Sequence, residues 1–381
     1  MPSVYGHMVH VTGPTSILAA HGEDWKRLRK RFNPGFAPQH LLSFLPCIIE
    51  KSFIFLDHLD KFAHNRQSFS FSNLTGNLVF DIISGVVMDI DFGAQNEDRA
   101  GEFMQTYRDL FETYTSEQMD LPWFLTPRVE WKRQKLAKRV RATLKGIVRD
   151  TFANRRAETT KSRSILSLSL QDDVNTLTAK AISEACDQLS TFLFAGHDTT
   201  SILLSWLFYE LSRTPHALQA LRAELDGFFG PDSDPSGVRE KLLSDEGRDI
   251  LQPRSVQPGT GITVHTPQGG YTLDGVDVYN CAIMIQRDPE VFGETANDFV
   301  PERWLPEAVD QIPTSAWRPF EKGPRNCIGQ ELVWIEARIV VALVARRYDF
   351  VKVGIGELSL DDNDTASNSE AHRWHGNAGE N

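Results

Sequence analysis

The 381 residues carry 40 Lys and Arg against 51 Asp and Glu, a formal net charge of −11, and 41% of them are hydrophobic. That apolar share is ordinary for a folded protein and excludes a mainly disordered or fibrous chain. The acidic balance argues against nucleic acid as a partner, and four cysteines with no C-x-x-C spacing write neither a zinc knuckle nor a disulfide framework, which fits a reducing compartment.

The N-terminal residues hold no charged stretch followed by an apolar core, so no signal peptide is expected. The longest apolar run, Ile202 to Phe208, is broken by Ser205 and too short for a bilayer. No internal repeat is found. Residues 18–52 and 74–90 carry apolar side chains at helical spacing, and 131–158 is a basic helical pattern. The longest helical signal runs from Thr178, a capping residue, to Arg213, where Thr214-Pro215 stops it. At the usual rise that is roughly 54 Å. A shorter helix follows at 216–229.

Residues 230–259, rich in Gly, Pro, Ser and Asp, read as a loop. Strand-like runs follow at Gly261–His265 and Gly275–Tyr279, with Pro267-Gln268-Gly269-Gly270 as a turn signal. A last helix is expected over 328–347. From residue 356 to 381 the chain is polar with almost no apolar anchors, and disorder is expected there. The fold class predicted is mainly α with a small β portion, in a single domain over 1–355.

Four segments carry chemistry. In Phe320-Glu321-Lys322-Gly323-Pro324-Arg325-Asn326-Cys327-Ile328-Gly329 a cysteine sits between glycines just before a helix. Glycines let backbone approach a flat ligand, and a helix N-terminus stabilises a thiolate. A buried structural cysteine in a glycine turn is the plainer alternative. Ala195-Gly196-His197-Asp198-Thr199-Thr200 interrupts an apolar helix with residues of poor helix propensity, at a cost of roughly 2–3 kcal/mol. Such a local violation marks either function or a close helix crossing. Trp25 and Arg29 stand i and i+4 on one helix face, and Pro301-Glu302-Arg303-Trp304 follows Phe299.

In that order along the chain, W-x-x-x-R, A-G-x-D-T-T, P-E-R-W and F-x-x-G-x-R-x-C-x-G resemble the cytochromes P-450, a family of haem-thiolate monooxygenases. The resemblance implies haem b held by the Cys327 thiolate as metal ligand, with Phe320, Gly323, Arg325 and Gly329 shaping the cysteine loop. Trp25 and Arg29 would reach a haem propionate, and Ala195 and Gly196 would open the long helix over the haem. Asp198 and Thr199 would be the catalytic pair that delivers protons to the reacting oxygen. The substrates implied are O2 and a lipophilic small molecule, and the wording around the motifs looks like fungal members of secondary metabolism.

No G-x-G-x-x-G is present, the nearest being Gly354-Ile355-Gly356, so electrons would come from a separate NADPH-cytochrome P-450 reductase. Lys26, Arg27, Lys30 and Arg31 would form its dock, if they are not simply a solvated face. No nucleic acid is expected as a partner, since the basic helix at 131–149 interleaves no aromatic beyond Trp131. The family is typically anchored to the endoplasmic reticulum membrane, whereas this chain reads as soluble and cytoplasmic.

Three family features are missing. Only 24 residues precede Trp25, so the chain resembles a member truncated at its N-terminus. No helix with E-x-x-R is written in 230–259: Glu240 is followed at i+3 by Leu243, Glu246 by Asp249, and only Asp245 with Arg248 keeps the spacing. Beyond Phe350 the polar tail replaces a strand pair that lines the substrate pocket in the family. Without E-x-x-R, Arg303 is expected to be a buried charge with no partner, a defect of about 3–5 kcal/mol. Arg254 is a candidate for a propionate contact. The chain is therefore either a working monooxygenase in shortened form or a catalytically impaired remnant of one.

Overall fold

A computed structural model describes residues 8–96, 101–114, 126–156, 163–171, 177–231, 234–243, 265–266, 269–270, 286–313 and 316–353. The chain forms two compact units. One comprises Met1–Ser205, Asp232–Pro253 and Ile328–Val344; the other comprises Trp206–Pro231, Arg254–Cys327 and Ala345–Asn381. The expected boundary between a domain ending at 355 and a tail from 356 lies outside the described residues.

In the first unit, α1 is Val9–Thr12, α2 is Gly22–Phe32 and α3 is Pro38–Leu41. The helical signal over 18–52 is thus broken into pieces, because Pro34, Pro38 and Pro46 each start a new segment. Proline suits a first helical turn and cannot donate inside a helix. Then come α4, Leu45–Asn65, and α5, Phe71–Met88. The Ser70 hydroxyl caps α5 by accepting from the Asn73 amide, and Asp89 ends it in the left-handed conformation at φ 60°. Next are α6, Glu102–Glu112, α7, Pro127–Arg156, and α8, Ile165–Ser169.

The long α9 covers Ala179–Arg213. Thr178 caps it by accepting from the Ala181 amide at 3.1 Å, so both termini fall where the sequence places them. The core of this unit is built where α4 packs on α5 and on the later helix α14, Gln330–Val344. Ile48, Ile49, Leu78, Phe80, Ile339 and Val340 on these helices are all buried. The helix pair comes close at Gly85, where a Cβ would stand 2.8 Å from Cys47 Sγ.

The segment after α1 is fastened to α9 by buried polar contacts. Asp187, fully buried, accepts from the Thr15 amide (2.9 Å), the Thr15 hydroxyl (2.7 Å) and the Arg141 guanidinium. Gln188 accepts from the Ile17 amide at 2.8 Å and donates to the Thr15 carbonyl at 2.6 Å. Gly13, at φ 80°, lies so close that a Cβ would meet the Asp187 carboxylate at 2.2 Å.

One expectation is corrected here: Pro235–Leu243 is a helix, α11, inside the segment read as a loop. Asp234 accepts from the Ser236 amide at 3.2 Å, and Val238 and Leu242, one turn apart, are buried. Two anchors in nine residues are too few to stand out among the surrounding Gly, Pro and Asp. Glu240 lies on this helix with Leu243 at i+3, so α11 carries no E-x-x-R.

The second unit contains α10, Pro215–Phe229, then β1, His265–Thr266, paired antiparallel with β2, Gly269–Gly270. Half of the expected turn quartet is therefore strand. Of the first expected strand only His265 is described, and the second, together with Asp245, Arg248 and Arg254, lies outside the described residues. Short turns follow: α12, Pro289–Phe292, the 3-10 segment Pro301–Trp304, and α13, Pro306–Val309. Phe292, Ala296 and Ala316 form a small core with Val291 and Ile312.

By length and composition alone, Pro38–Asn65 and Phe71–Met88 could cross a membrane, although charged and polar residues interrupt both. Their most apolar windows are 44% and 67% buried, and α4 and α5 pack on each other within the unit. Core packing accounts for their apolarity.

Candidate active site

In the second unit the segment 318–327 is a tight, exposed loop. The Cys327 amide donates to the Phe320 carbonyl at 2.9 Å, and the Asn326 amide donates to the Gly323 carbonyl at 3.0 Å. Gly323, at φ 83°, takes a backbone conformation that costs glycine nothing. Glu321 takes the same region at φ 56° and is held by its ion pair with Arg318 at 2.7 Å. Cys327 is exposed and in no disulfide, so the buried-cysteine alternative fails. Arg325 is exposed on the same loop. Gly329 accepts from the Val333 amide at 3.1 Å, immediately before α14.

In the first unit, Ala195, Gly196, Asp198 and Thr199 share one turn of α9. The helix runs unbroken through Gly196, and what the glycine supplies is closeness: a Cβ there would stand 2.8 Å from Ile83 Cδ1. The Thr199 hydroxyl is exposed and donates to the Ala195 carbonyl at 2.7 Å, the back-bond by which a mid-helix threonine competes with the backbone ladder. Burial pushes the Asp198 carboxyl above its usual range. His197 packs edge-on to Phe80 at 5.5 Å, and burial, helped by the Arg108 charge, lowers its pKa to about 4, so it is neutral at pH 7. Tyr107, also against Phe80, buries a phenol whose proton is held more tightly by burial first and by the Asp198 charge second.

Trp25 and Arg29 lie half-buried on α2, beside the buried Leu28 and Phe32, and so share the inward face as expected. The proposed basic dock is smaller than the sequence suggests. Arg27 donates twice to the Glu184 carboxylate, at 2.7 and 2.8 Å, and Arg31 comes within 3.6 Å of it while donating to the Ser169 carbonyl at 2.7 Å. Glu184 is buried, and the Arg27 hydrogen bonds hold its carboxyl below the usual range. Two of the four cations are therefore spent on binding α2 to α9, leaving Lys26, paired with Glu23 at 2.6 Å, and Lys30 exposed.

The family description that matches is Cytochrome P450, over residues 2–242 and 266–364. The chain belongs to the cytochrome P450 family. It is 29% identical over 395 residues to cytochrome P450 monooxygenase acrF of Aspergillus aculeatus, covering 92% of this chain and 77% of that one. It is 27% identical to the self-sufficient cytochrome P450 monooxygenase CYP505E3 of Phanerodontia chrysosporium, covering 88% of this chain but 32% of that protein. The crystal structure of the cytochrome P450DA heme domain superposes with a TM-score of 0.70, covers 92% of this chain and 78% of that one at 20% identity, and shares the fold. The interval 243–265 falls between the two matched stretches and overlaps the segment 230–259, where E-x-x-R is missing.

The cofactor of the P450 family is haem, and the residues present fit it by their chemistry: the exposed Cys327 thiol on a glycine loop would hold the iron, and Arg29, Trp25 and Arg325 are donors that would suit its propionates. Arg303 departs from expectation. It is half-buried but not partnerless: its guanidinium donates to the Thr295 carbonyl and hydroxyl and to the Asp298 carbonyl at 3.4 Å, and lies 5.7 Å from the Phe292 ring. Carbonyl oxygens and one ring thus replace the carboxylate that E-x-x-R would bring. Glu302 faces His216 at 3.4 Å.

Glu336 lies outside every motif; its signal is a lone acid in the apolar run LVWIEARIVVALV. It is 2% exposed, and burial pushes its carboxyl up to about 8. The folded chain therefore keeps a proton that the unfolded chain releases above 4.5. This stabilisation is complete below that pH and is lost as pH rises through about 8, at no more than about 1.4 kcal/mol per pH unit. Denaturant unfolding at pH 5 and pH 8 should show the difference, and Glu336→Gln should shrink it. An unchanged pH slope in the variant would remove Glu336 as its source.

Proposed function

We propose that the protein is a haem-thiolate monooxygenase that places one atom of O2 in a lipophilic substrate and releases the other as water, with Cys327 as the iron ligand. The observation that carries this is the exposed Cys327 thiol on a loop closed by the Phe320 and Gly323 carbonyls. When bound through a thiolate, haem supplies the electron push that favours O–O cleavage. Arg325, Arg29 and Trp25 bind and orient the propionates in this reading. Asp198, its carboxyl already biased toward holding a proton, feeds protons to the Thr199 hydroxyl, which its bond to Ala195 keeps in place. Thr199→Ala should lower product per NADPH consumed by about tenfold or more, with hydrogen peroxide making up the difference. Coupling that stays unchanged would take Thr199 out of this role.

Two electrons per turnover come from an NADPH-dependent flavoprotein reductase. We propose a separate partner that reaches the protein at the endoplasmic reticulum membrane, where Lys26 and Lys30 are the cations left to meet its acidic surface. The self-sufficient relative points to the alternative of a reductase in the same chain. A lipophilic secondary metabolite is the substrate class favoured by the likeness to a fungal monooxygenase. An impaired remnant is the second reading, and the missing E-x-x-R favours it; the satisfied Arg303 weighs against it. Turnover with NADPH, reductase and 18O-labelled dioxygen decides between them: one labelled oxygen in an organic product supports the monooxygenase, and NADPH consumption with no labelled product supports the remnant.

A further inference from the structure

Within the first unit, α6 and α9 meet through the Phe111 and Phe194 rings, whose centroids are 5.7 Å apart. Tyr107 precedes Phe111 by one turn of α6, and Asp198 follows Phe194 by one turn of α9. The Asp198 charge is felt at the Tyr107 hydroxyl, so the second pair succeeds the first along both helices. Phe80 of α5 closes the third side, with the Tyr107 ring at 5.6 Å and the His197 ring at 5.5 Å.

Both polar groups of this second pair lack a partner. Tyr107 is 2% exposed, and its Oη is buried without a hydrogen bond. A buried phenol ordinarily has one. Among the described residues the Asp198 carboxyl makes no ion pair or hydrogen bond either, and burial alone shifts it. The neighbouring groups are otherwise engaged. The Arg108 guanidinium donates to Asn77 and its charge acts on His197, which is neutral, while the Thr199 hydroxyl is committed to the Ala195 carbonyl.

A carboxyl that gives up and regains a proton needs a partner suited to both of its states. A lysine or arginine would favour only the charged form and pull its pKa down. A phenol serves both, donating to a carboxylate and accepting from a carboxylic acid. We propose that Tyr107 is a positioning residue for proton delivery, the partner to which the Asp198 carboxyl turns between deliveries. The proposal rests on Asp198 feeding protons to Thr199, as above. Turned inward, Asp198 bonds to Tyr107 Oη; turned outward, it reaches the Thr199 side and, being half-exposed, takes its next proton from water.

Infrared spectroscopy of the protonated carboxyl bands, on the full haem-supplied chain titrated upward from acid pH, reads this contact without turnover. Asp198→Asn identifies the Asp198 band by removing it. Tyr107→Phe takes one oxygen from a ring that packs on Phe80 and Phe103, and should melt no lower than the parent. In that variant the Asp198 band should move to higher wavenumber, as a carbonyl does on losing a hydrogen-bond donor, while the band of the buried Glu336 stays in place. Labelled product per NADPH in the labelled-dioxygen assay should fall by about threefold or more in Tyr107→Phe and by about tenfold or more in Asp198→Asn. An Asp198 band that Tyr107→Phe leaves unmoved overturns the proposal. So does full coupling in Tyr107→Phe when Asp198→Asn has lost it. Full coupling in Asp198→Asn would instead remove the proton-feeding role of Asp198 on which the proposal stands.

Discussion

Cys327→Ser is expected to remove the thiolate from iron and to drop product formation by about three orders of magnitude or more. A serine hydroxyl stays protonated at neutral pH and is a poor match for haem iron in this role, whereas a thiolate is a soft anionic donor. The loop itself should survive, because backbone bonds close it, from the residue-327 amide to the Phe320 carbonyl and from the Asn326 amide to the Gly323 carbonyl. The variant should therefore still bind some haem, and its reduced carbon monoxide complex should absorb at shorter wavelength than the parent. A variant that kept the parent's strongly red-shifted band would take Cys327 out of the iron's coordination sphere.

The largest effect on stability is expected at Asp187, which lies outside every motif. Asp187→Ala deletes the acceptor for the Thr15 amide and hydroxyl and leaves Arg141 without its carboxylate. Breaking a buried pair by removing one partner costs about 3–5 kcal/mol, a large share of the 5–15 kcal/mol that holds a typical domain folded. Asp187→Asn keeps an acceptor for Thr15 but not the charge, and should lose roughly half as much. Urea unfolding followed by far-ultraviolet circular dichroism reads both. A loss below about 1 kcal/mol for the alanine variant would show that the Gln188 and Thr191 contacts fasten the N-terminal segment without Asp187.

The two features easiest to read in the sequence were the long helix and the cysteine loop, and for different reasons. The helix is legible because its capping Thr178 and its stop at Thr214-Pro215 are local signals, and because an apolar pattern that long has no competing reading. The loop is legible because its chemistry fixes glycine, arginine and cysteine at close spacing. What escaped is what the chain assembles from distant parts. Glu184 claims Arg27 and Arg31 from more than 150 residues away, so four cations that look like one solvated face are half consumed by packing. Arg303 finds backbone carbonyls, which every residue possesses and no sequence pattern announces. The helix at Pro235–Leu243 escaped because nine residues offer only two buried positions.

The missing E-x-x-R is the feature that would separate a working monooxygenase from an impaired one. In the cytochrome P450 resemblance the Glu and Arg of that motif brace the P-E-R-W arginine, and here Arg303 leans on Thr295, Asp298 and Phe292 instead. If those contacts suffice, the cysteine loop holds its ligand without the brace.

The carbon monoxide difference spectrum of the full chain, expressed with haem supplied and then reduced, bears on this most directly. A strongly red-shifted Soret band is expected, because it requires haem to be bound and Cys327 to sit on iron as a thiolate. A band at the shorter wavelength of a protonated or displaced thiol, or no bound haem at all, would contradict the assignment of this chain as a haem-thiolate monooxygenase.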